Sequence, residues 1–440
     1  MSLRPVIGAL VTVLSLVAGG RAVLLAQAGP PVGRDVLTVS ADGRVSGDNN
    51  HAGGSGGGAA SSTGQLTVNY LPVVTPVQVQ VGASTGIRYD GAAGEMSLVG
   101  GNVGASAALP MGKRTNVVAT GSVGYVPSYS LVANRAIPTE TVLENPGLLP
   151  SQSIDFQTVK RSAHTSASSV SVSRGLTSRS SVSASYGLNQ SLFVNATDPS
   201  VRSRSVQGRF QQQITKHLGF HAGYGRRIAD YSSSPVNPSG DRSKVTPAAV
   251  EDLDIGLDYS EGRAFAISRN ASLNFTTGSS FAKSAGAPRR LFVTGNATFA
   301  YTLGKKGRAS VDYRRAVQIV PGFGQPVFSD AVTFTATERI GRSLQLSANV
   351  AYSLGSVGAP SAGAAHRYES LTGSARAGYM VGGSLSLYVQ YLQYSHGLGA
   401  AVEVLRTVPR EQTRHSVVGG FAYSLPLIRE ERPRGPRGRR

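Results

Sequence analysis

The chain has 440 residues, 40% of them apolar, with 54 glycines, no tryptophan, no cysteine and a formal charge of +19. That is lean for a chain of this length to wrap around a conventional dry core, and the absence of cysteine excludes disulfides, thiolate metal centres and cysteine nucleophiles. The positive charge invites a nucleic-acid reading, but the Lys and Arg residues are spread over turns, loops and polar faces rather than gathered with aromatics on one surface, which argues against one.

Residues 1–28 carry Arg4, an apolar run from Val6 to Ala18 and the small-residue site Ala26-Gln27-Ala28, the layout of a cleaved export signal. Gly19-Gly20-Arg21 interrupts the run before the roughly 20 apolar residues a spanning helix needs. The mature chain, 29–428, is expected to be barrel. It opens with Leu37, Val39 and Ala41 alternating with polar neighbours, then a Gly/Ser-rich stretch over 47–64 that reads as a flexible loop.

From Gln65 onward, alternating arms and turns follow one another with few gaps. Leu66, Val68 and Tyr70 alternate, as do Val77, Val79, Val81, Ala83, Ile87 and Tyr89. Further arms are expected at Asn102 to Leu109, Asn116 to Val126, a Ser-rich arm ending in SSVSVS (Ser168 to Ser173), Ser181 to Phe193, Ser205 to Ile214, Leu218 to Ile228, Leu253 to Ser260 and Phe265 to Thr276. Arg290 to Ile319 is the plainest hairpin. In its first arm Leu291, Val293, Ala297, Phe299, Tyr301 and Leu303 share one face, and in its second Ala309, Val311, Tyr313, Val317 and Ile319 share one. Arms at Val332 to Ile340, Leu344 to Ser353, Leu371 to Met380, Leu385 to Tyr394 and Ser416 to Leu425 complete the series. The arms exceed a typical globular strand and approach the roughly 9 to 11 residues that a tilted strand needs to cross a bilayer. The fold class is therefore all-β, a transmembrane antiparallel up-and-down barrel of about 18 strands, or about 16 without the two N-terminal candidates.

Short connections such as Met111 to Arg114, Gly304 to Gly307 and Gly341 to Ser343 alternate with long ones such as Leu131 to Ser153, Tyr231 to Ala249 and Gly397 to Glu411. In outer-membrane barrels short turns are periplasmic and long loops extracellular, so both termini are expected in the periplasm. The tail, 429–440, is rich in Pro, Gly and Arg and reads as a solvated, disordered end.

These arms and turns, above all RGLTSRSSVSASYGLNQSLF (Arg174 to Phe193), GDNN (Gly47 to Asn50), TGIRYD and MGKRTNVVATGSVGYVPSYS, resemble large bacterial outer-membrane β-barrels of the type found near exopolysaccharide or exosortase loci. The resemblance implies an outer-membrane lipid environment, insertion by the barrel-assembly machinery and polysaccharide-export components as partners. It also implies an assembly signal in the last strand, which Val418, Gly420, Tyr423 and Leu425 match except that Val418 is not polar.

A barrel of this size leaves an aqueous channel. Arg88, Arg209, Arg227, Arg314, Arg339 and Arg376, with Asp252, Asp254, Asp258 and Asp312, fall on polar faces and are expected to line the lumen, beside Gln207, Gln211 and Gln213. Opposed Arg and Asp clusters would set an ion preference. Aspartates in line along one strand do not wrap a cation, so no metal or other cofactor is expected. The seven histidines lie apart, without a distinctive serine or acid context, so no catalytic centre is expected either. The leading function is a porin-like channel for passive diffusion of small polar or anionic solutes. The alternatives are an accessory barrel for envelope-polymer export and a structural or adhesive barrel acting through its long loops.

Overall fold

The computed structural model describes residues 36–48, 59–71, 73–74, 77–90, 94–126, 162–194, 200–215, 218–232, 245–259, 265–266, 270–283, 290–304, 306–319, 325–357, 366–381, 384–402 and 409–428. The expected export signal (1–28), the connection Leu131 to Ser153 and the basic tail (429–440) lie outside them. In chain order the strands are β1 (Val36–Asp48), β2 (Ala59–Leu71), β3 (Val73–Val74), β4 (Val77–Asp90), β5 (Glu95–Met111), β6 (Thr115–Val126), β7 (Ala163–Gly175), β8 (Ser180–Phe193), β9 (Ser200–Gln213) and β10 (Leu218–Ser232). They continue with β11 (Val245–Tyr259), β12 (Phe265–Ala266), β13 (Ala271–Lys283), β14 (Arg290–Leu303), β15 (Gly307–Gln318), β16 (Val327–Ile340), β17 (Leu344–Val357), β18 (Arg367–Val381), β19 (Leu385–Leu398) and β20 (Glu411–Ile428).

β3 and β12 are two-residue bridges, and the other eighteen strands form the wall. Each pairs antiparallel with its neighbours in the chain, and β20 pairs with β1 from Leu37↔Ile428 to Asp48↔Ser416, so the sheet closes on itself. Both N-terminal candidates are wall strands, which decides for eighteen over sixteen. Closure leaves no unpaired edge, the condition that lipid imposes on a sheet.

The two-residue period sorts each strand into an apolar outer face and a polar inner one. On β17 Leu344, Leu346, Ala348, Val350, Tyr352 and Leu354 point outward while Gln345, Ser347, Asn349 and Ser353 share the opposite face. Ten residue steps of about 3.3 Å, tilted about 40°, climb roughly 25 Å, the height of a hydrocarbon belt. Val293 (65% exposed), Val389 (59%) and Val206 (56%) are far too open for a water-facing surface of this extent. Lipid is the solvent that suits them.

Three turns at one end of the barrel place a glycine directly after the strand and a basic residue next. Gly112, Gly304 and Gly341 have φ of 72°, 60° and 65°, the left-handed region where a Cβ is strained. Lys306 Nζ donates to the Gly341 carbonyl at 2.9 Å, and the Arg339 Nη2 donates to the Arg342 carbonyl at 2.8 Å, so the basic residues also satisfy turn carbonyls.

The strands are longer than alternation alone marks. The stretch expected as loop over 47–64 contributes Gly47 and Asp48 to β1 and residues 59–64 to β2, because Ser61 and Thr63 are small polar residues that sit buried on the inner face. The arm expected over Phe265 to Thr276 is divided. β12 folds back on β13 with Phe265 opposite Leu273 around the polar turn residue Asn270, and the wall strand begins at Ala271.

One departure matters for the bore. β14 and β15 pair only as far as Gly295↔Arg315, whereas β15 and β16 stay paired to Gln318↔Val327. Beyond that fork Val317 and Phe328, which have the parity of lipid-facing residues, pack on Val250 and Phe292 of the inner wall, with the Phe292 and Phe328 rings 4.8 Å apart. Ile319 reaches further, onto Val201, Ala229, Tyr231 and Ala248 of β9, β10 and β11. The expectation that Val317 and Ile319 continue the lipid face of the hairpin is therefore corrected. Right-handed strand twist, released from β14, rolls the end of the hairpin into the barrel.

Candidate functional site

Directly paired residues share a face, so the ladder registers assign the lumen wall row by row. On one side, Arg227 of β10 grips Asp252 of β11 through a two-pronged contact, Nε to Oδ2 at 2.9 Å and Nη2 to Oδ1 at 3.1 Å. Ser280 of β13 donates to the same carboxylate at 2.5 Å. Gly225 stands opposite Asp252, so Arg227 reaches the carboxylate diagonally along the ladder. Arg314 of β15 lies within electrostatic reach of Arg227. One row along, Asp312 accepts from Thr298 at 2.7 Å and from Ser310 at 3.2 Å.

Arg209 stands opposite Gly223 on β10 and Ser183 on β8, one strand from Arg227. Asp254 and Asp258 occupy the register positions opposite Gly223 and Gly219, on the same row system as Asp252. Other expected residues lie elsewhere. Arg88 stands opposite Thr63 near the long-loop end of β4, and Arg339 caps its own turn at the short-turn rim. Arg376 is on the far wall. Counted around the ring, β10 and β20 are diametrically opposed.

The far wall holds a second group, of which the polar-face reading included only Arg376. The Arg376 guanidinium stacks on the Tyr388 ring at 3.7 Å, and the Tyr388 hydroxyl donates to both Asp42 oxygens, at 3.1 and 3.0 Å. Tyr388 reaches from β19 to β1 by lying across Gly420 of β20, where a Cβ would stand 2.7 Å from the tyrosine ring and 2.6 Å from the Gly43 carbonyl. The signal was present in the sequence: Tyr388 is an aromatic on the polar side of its strand, between Ser386 and Gln390. Leu392 and Val418 pack beside it. Because this contact spans the strand pair that closes the ring, Gly420→Ala is expected to open it. The variant should melt earlier in detergent, by about 2 to 4 kcal/mol of lost stability, with the folded band on unheated gels converting at lower temperature.

By strand position, Arg209 and the Arg227–Asp252 pair on β9 to β11 stand across the ring from Tyr388, Asp42 and Arg44 on β19 and β1, with Arg314 of β15 and Arg376 of β18 on the arc between them. The rolled hairpin packs on the inner face of β9, β10, β11 and β14 at the long-loop end, and at the same end Ser353, Tyr368 and Ser370 form a buried hydroxyl network at 2.7 to 3.5 Å. Among the described residues no three His, Asp or Glu side chains gather as metal ligands would.

A closed antiparallel wall of eighteen strands, apolar outside and charged inside, defines a membrane-spanning β-barrel of the size that encloses a channel. Among solved structures, Pseudomonas aeruginosa OpdQ is similar with a TM-score of 0.45 at 10% identity, over 90% of this chain and 98% of that one. P. aeruginosa OccK2 (OpdF), solved in complex with glucuronate, gives 0.44 at 10% over 90% and 98%. The siderophore receptor PirA of Acinetobacter baumannii gives 0.44 at 7% over 90% and 81%. No protein-family model and no curated relative matches the chain.

Proposed function

We propose that the chain is a porin-like channel of a bacterial outer membrane that passes small polar or anionic solutes by passive diffusion. The observation that carries this reading is the charged lining of a ring of eighteen strands, with Arg209 and the Arg227–Asp252 pair on β9 to β11 across from Tyr388 and Asp42 on β19 and β1, and Arg314 and Arg376 between them. Fixed charges and hydrogen-bond donors lining a water-filled bore orient a polar solute while replacing part of its hydration. The rolled hairpin supports a size limit, since apolar side chains at the long-loop end occupy bore that a plain cylinder of this strand number would leave to water.

In this reading the long loops face outward, the termini lie in the periplasm, and outer-membrane lipid covers the apolar belt. The barrel-assembly machinery reads β20, whose Gly420, Tyr423 and Leu425 fit the usual signal and whose free edge finds β1 to close the ring. The purified protein in planar bilayers is expected to give steady single-channel steps smaller than an unobstructed barrel of eighteen strands would give. A barrel that inserts and stays silent overturns the channel reading, and loss of an envelope polymer on its deletion would then favour an accessory role with polysaccharide-export components.

A further inference from the structure

Three arginines point the wrong way for a lumen. Arg202 and Arg204 of β9 and Arg226 of β10 occupy the outward positions of their strands, sharing that face with Val206 and Tyr224, and all three are exposed. They lie at the long-loop margin of the apolar belt, with Arg204 opposite Ile228 and Arg226 opposite Val206. Arg226 and Arg227 are sequence neighbours aimed at opposite solvents. An outward arginine costs roughly 2 to 4 kcal/mol at the bilayer midplane and about 0 to 1 near the interface, which assigns these to the headgroup level.

Two other arginines on outward positions are answered by acids, Arg315 by Asp330 at 3.7 Å and Arg367 by Glu369 at 3.8 Å, while Arg174 stands apart at the short-turn end of β7, opposite Val182. Arg202, Arg204 and Arg226 make no ion pair with a described residue, although Asp230 stands opposite Arg202 and Glu251 opposite Arg226 in the ladders. Residues two apart on a strand are separated by about 6.6 Å, and diagonal neighbours on paired strands by about 7 to 8 Å. Arg202 and Arg204 are of the first kind, Arg204 and Arg226 of the second. Long guanidinium side chains at that spacing can bracket one phosphate between them with paired N–H donors, the geometry in which arginine outperforms lysine.

We propose that this patch is a docking site for the phosphate of an anionic lipid headgroup in the leaflet at the long-loop end of the barrel. The lipid's chains lie along Val206, Tyr224 and Leu253 below it, and its headgroup is held by Arg202, Arg204 and Arg226. The site requires only that the barrel span a membrane, so it stands whether or not the bore conducts.

The test is native mass spectrometry of the full-length protein released from micelles holding equal amounts of phosphatidylglycerol and phosphatidylcholine with the same chains. The wild type is expected to retain phosphatidylglycerol at least about tenfold over phosphatidylcholine, and Arg202→Ser/Arg204→Ser/Arg226→Ser to bring the two within about twofold. Millimolar inorganic phosphate should displace little, because it brings no chains. Equal retention by wild type and the triple variant overturns the proposal, as does displacement by free phosphate, which would mark a site for small anions. Should the triple variant fail to fold, Asp230→Asn/Glu251→Gln decides: removing the acids must increase phosphatidylglycerol retention, and unchanged or weaker retention overturns the proposal.

Discussion

Reversing two charges on the inner wall, with Arg209→Glu and Arg314→Glu together, is expected to swing the barrel's ion preference about tenfold toward cations. The expectation follows from how closely the lumen's acids and bases are matched. Asp252 takes up the charge of Arg227 through two hydrogen bonds, and Asp42 faces Arg44 and Arg376 across the Tyr388 hydroxyl. Asp312 is held by two hydroxyls on the wall that bears Arg314. With acids and bases so interleaved, the native selectivity is set by a small residual, and the two substitutions change the local charge by four units against it. At 8 Å in water one unit charge is worth about 0.5 kcal/mol to a passing ion, with opposite sign for the two ions, and salt screens part of this. Reversal potentials in a potassium chloride gradient across a planar bilayer read the shift. A conducting variant with unchanged potential would mean that these positions do not govern permeation.

The cylinder itself was legible because lipid demands a signal that sequence carries openly. Apolar residues fall on the odd positions of Leu291 to Leu303, and Leu291, Val293, Phe299, Tyr301 and Leu303 stay exposed on the outer face. Strand ends were less legible, since a residue such as Ser61 or Val245 beyond the apolar belt is under no pressure to alternate. Yet the ladder continues there, through Asp48↔Ala59 and Ser232↔Val245. The inward parity of Arg227 and Asp252 could be read from the chain, but their union could not, because it depends on a register that brings Asp252 opposite Gly225. Tyr388 shows a signal that goes unread when only charged residues are collected from a polar face. The rolled hairpin shows a limit of parity itself: Val317 and Phe328 keep the spacing of lipid-facing residues and still lie against the inner wall, because twist beyond the fork at Gly295 changes what that face meets.

Detaching that hairpin gives the second large effect. Ile319→Asp with Phe328→Asp places carboxylates where the native side chains touch Val201, Tyr231 and Ala248 on one side and Val250 and Phe292 on the other. Both side chains are partly buried, so each contributes less than the roughly 1.5 to 3 kcal/mol of a fully buried one. An unpaired carboxylate forced into the same place would cost several kcal/mol, so the hairpin end leaves the wall and moves into water. The barrel below the fork keeps its ladders, and the folded band on unheated gels should persist. Single-channel conductance is expected to at least about double, because bore now filled by side chains is returned to water. If conductance stays at the wild-type value while the fold holds, the narrowing that limits flow lies elsewhere, and the charged walls around Arg227 and Tyr388 become the place to seek it. The two experiments also separate from each other. Charge reversal should alter which ions pass with little change in total conductance, whereas releasing the hairpin should raise conductance, with a smaller shift toward cations because it adds two carboxylates to the bore against the four units of charge changed by the reversal.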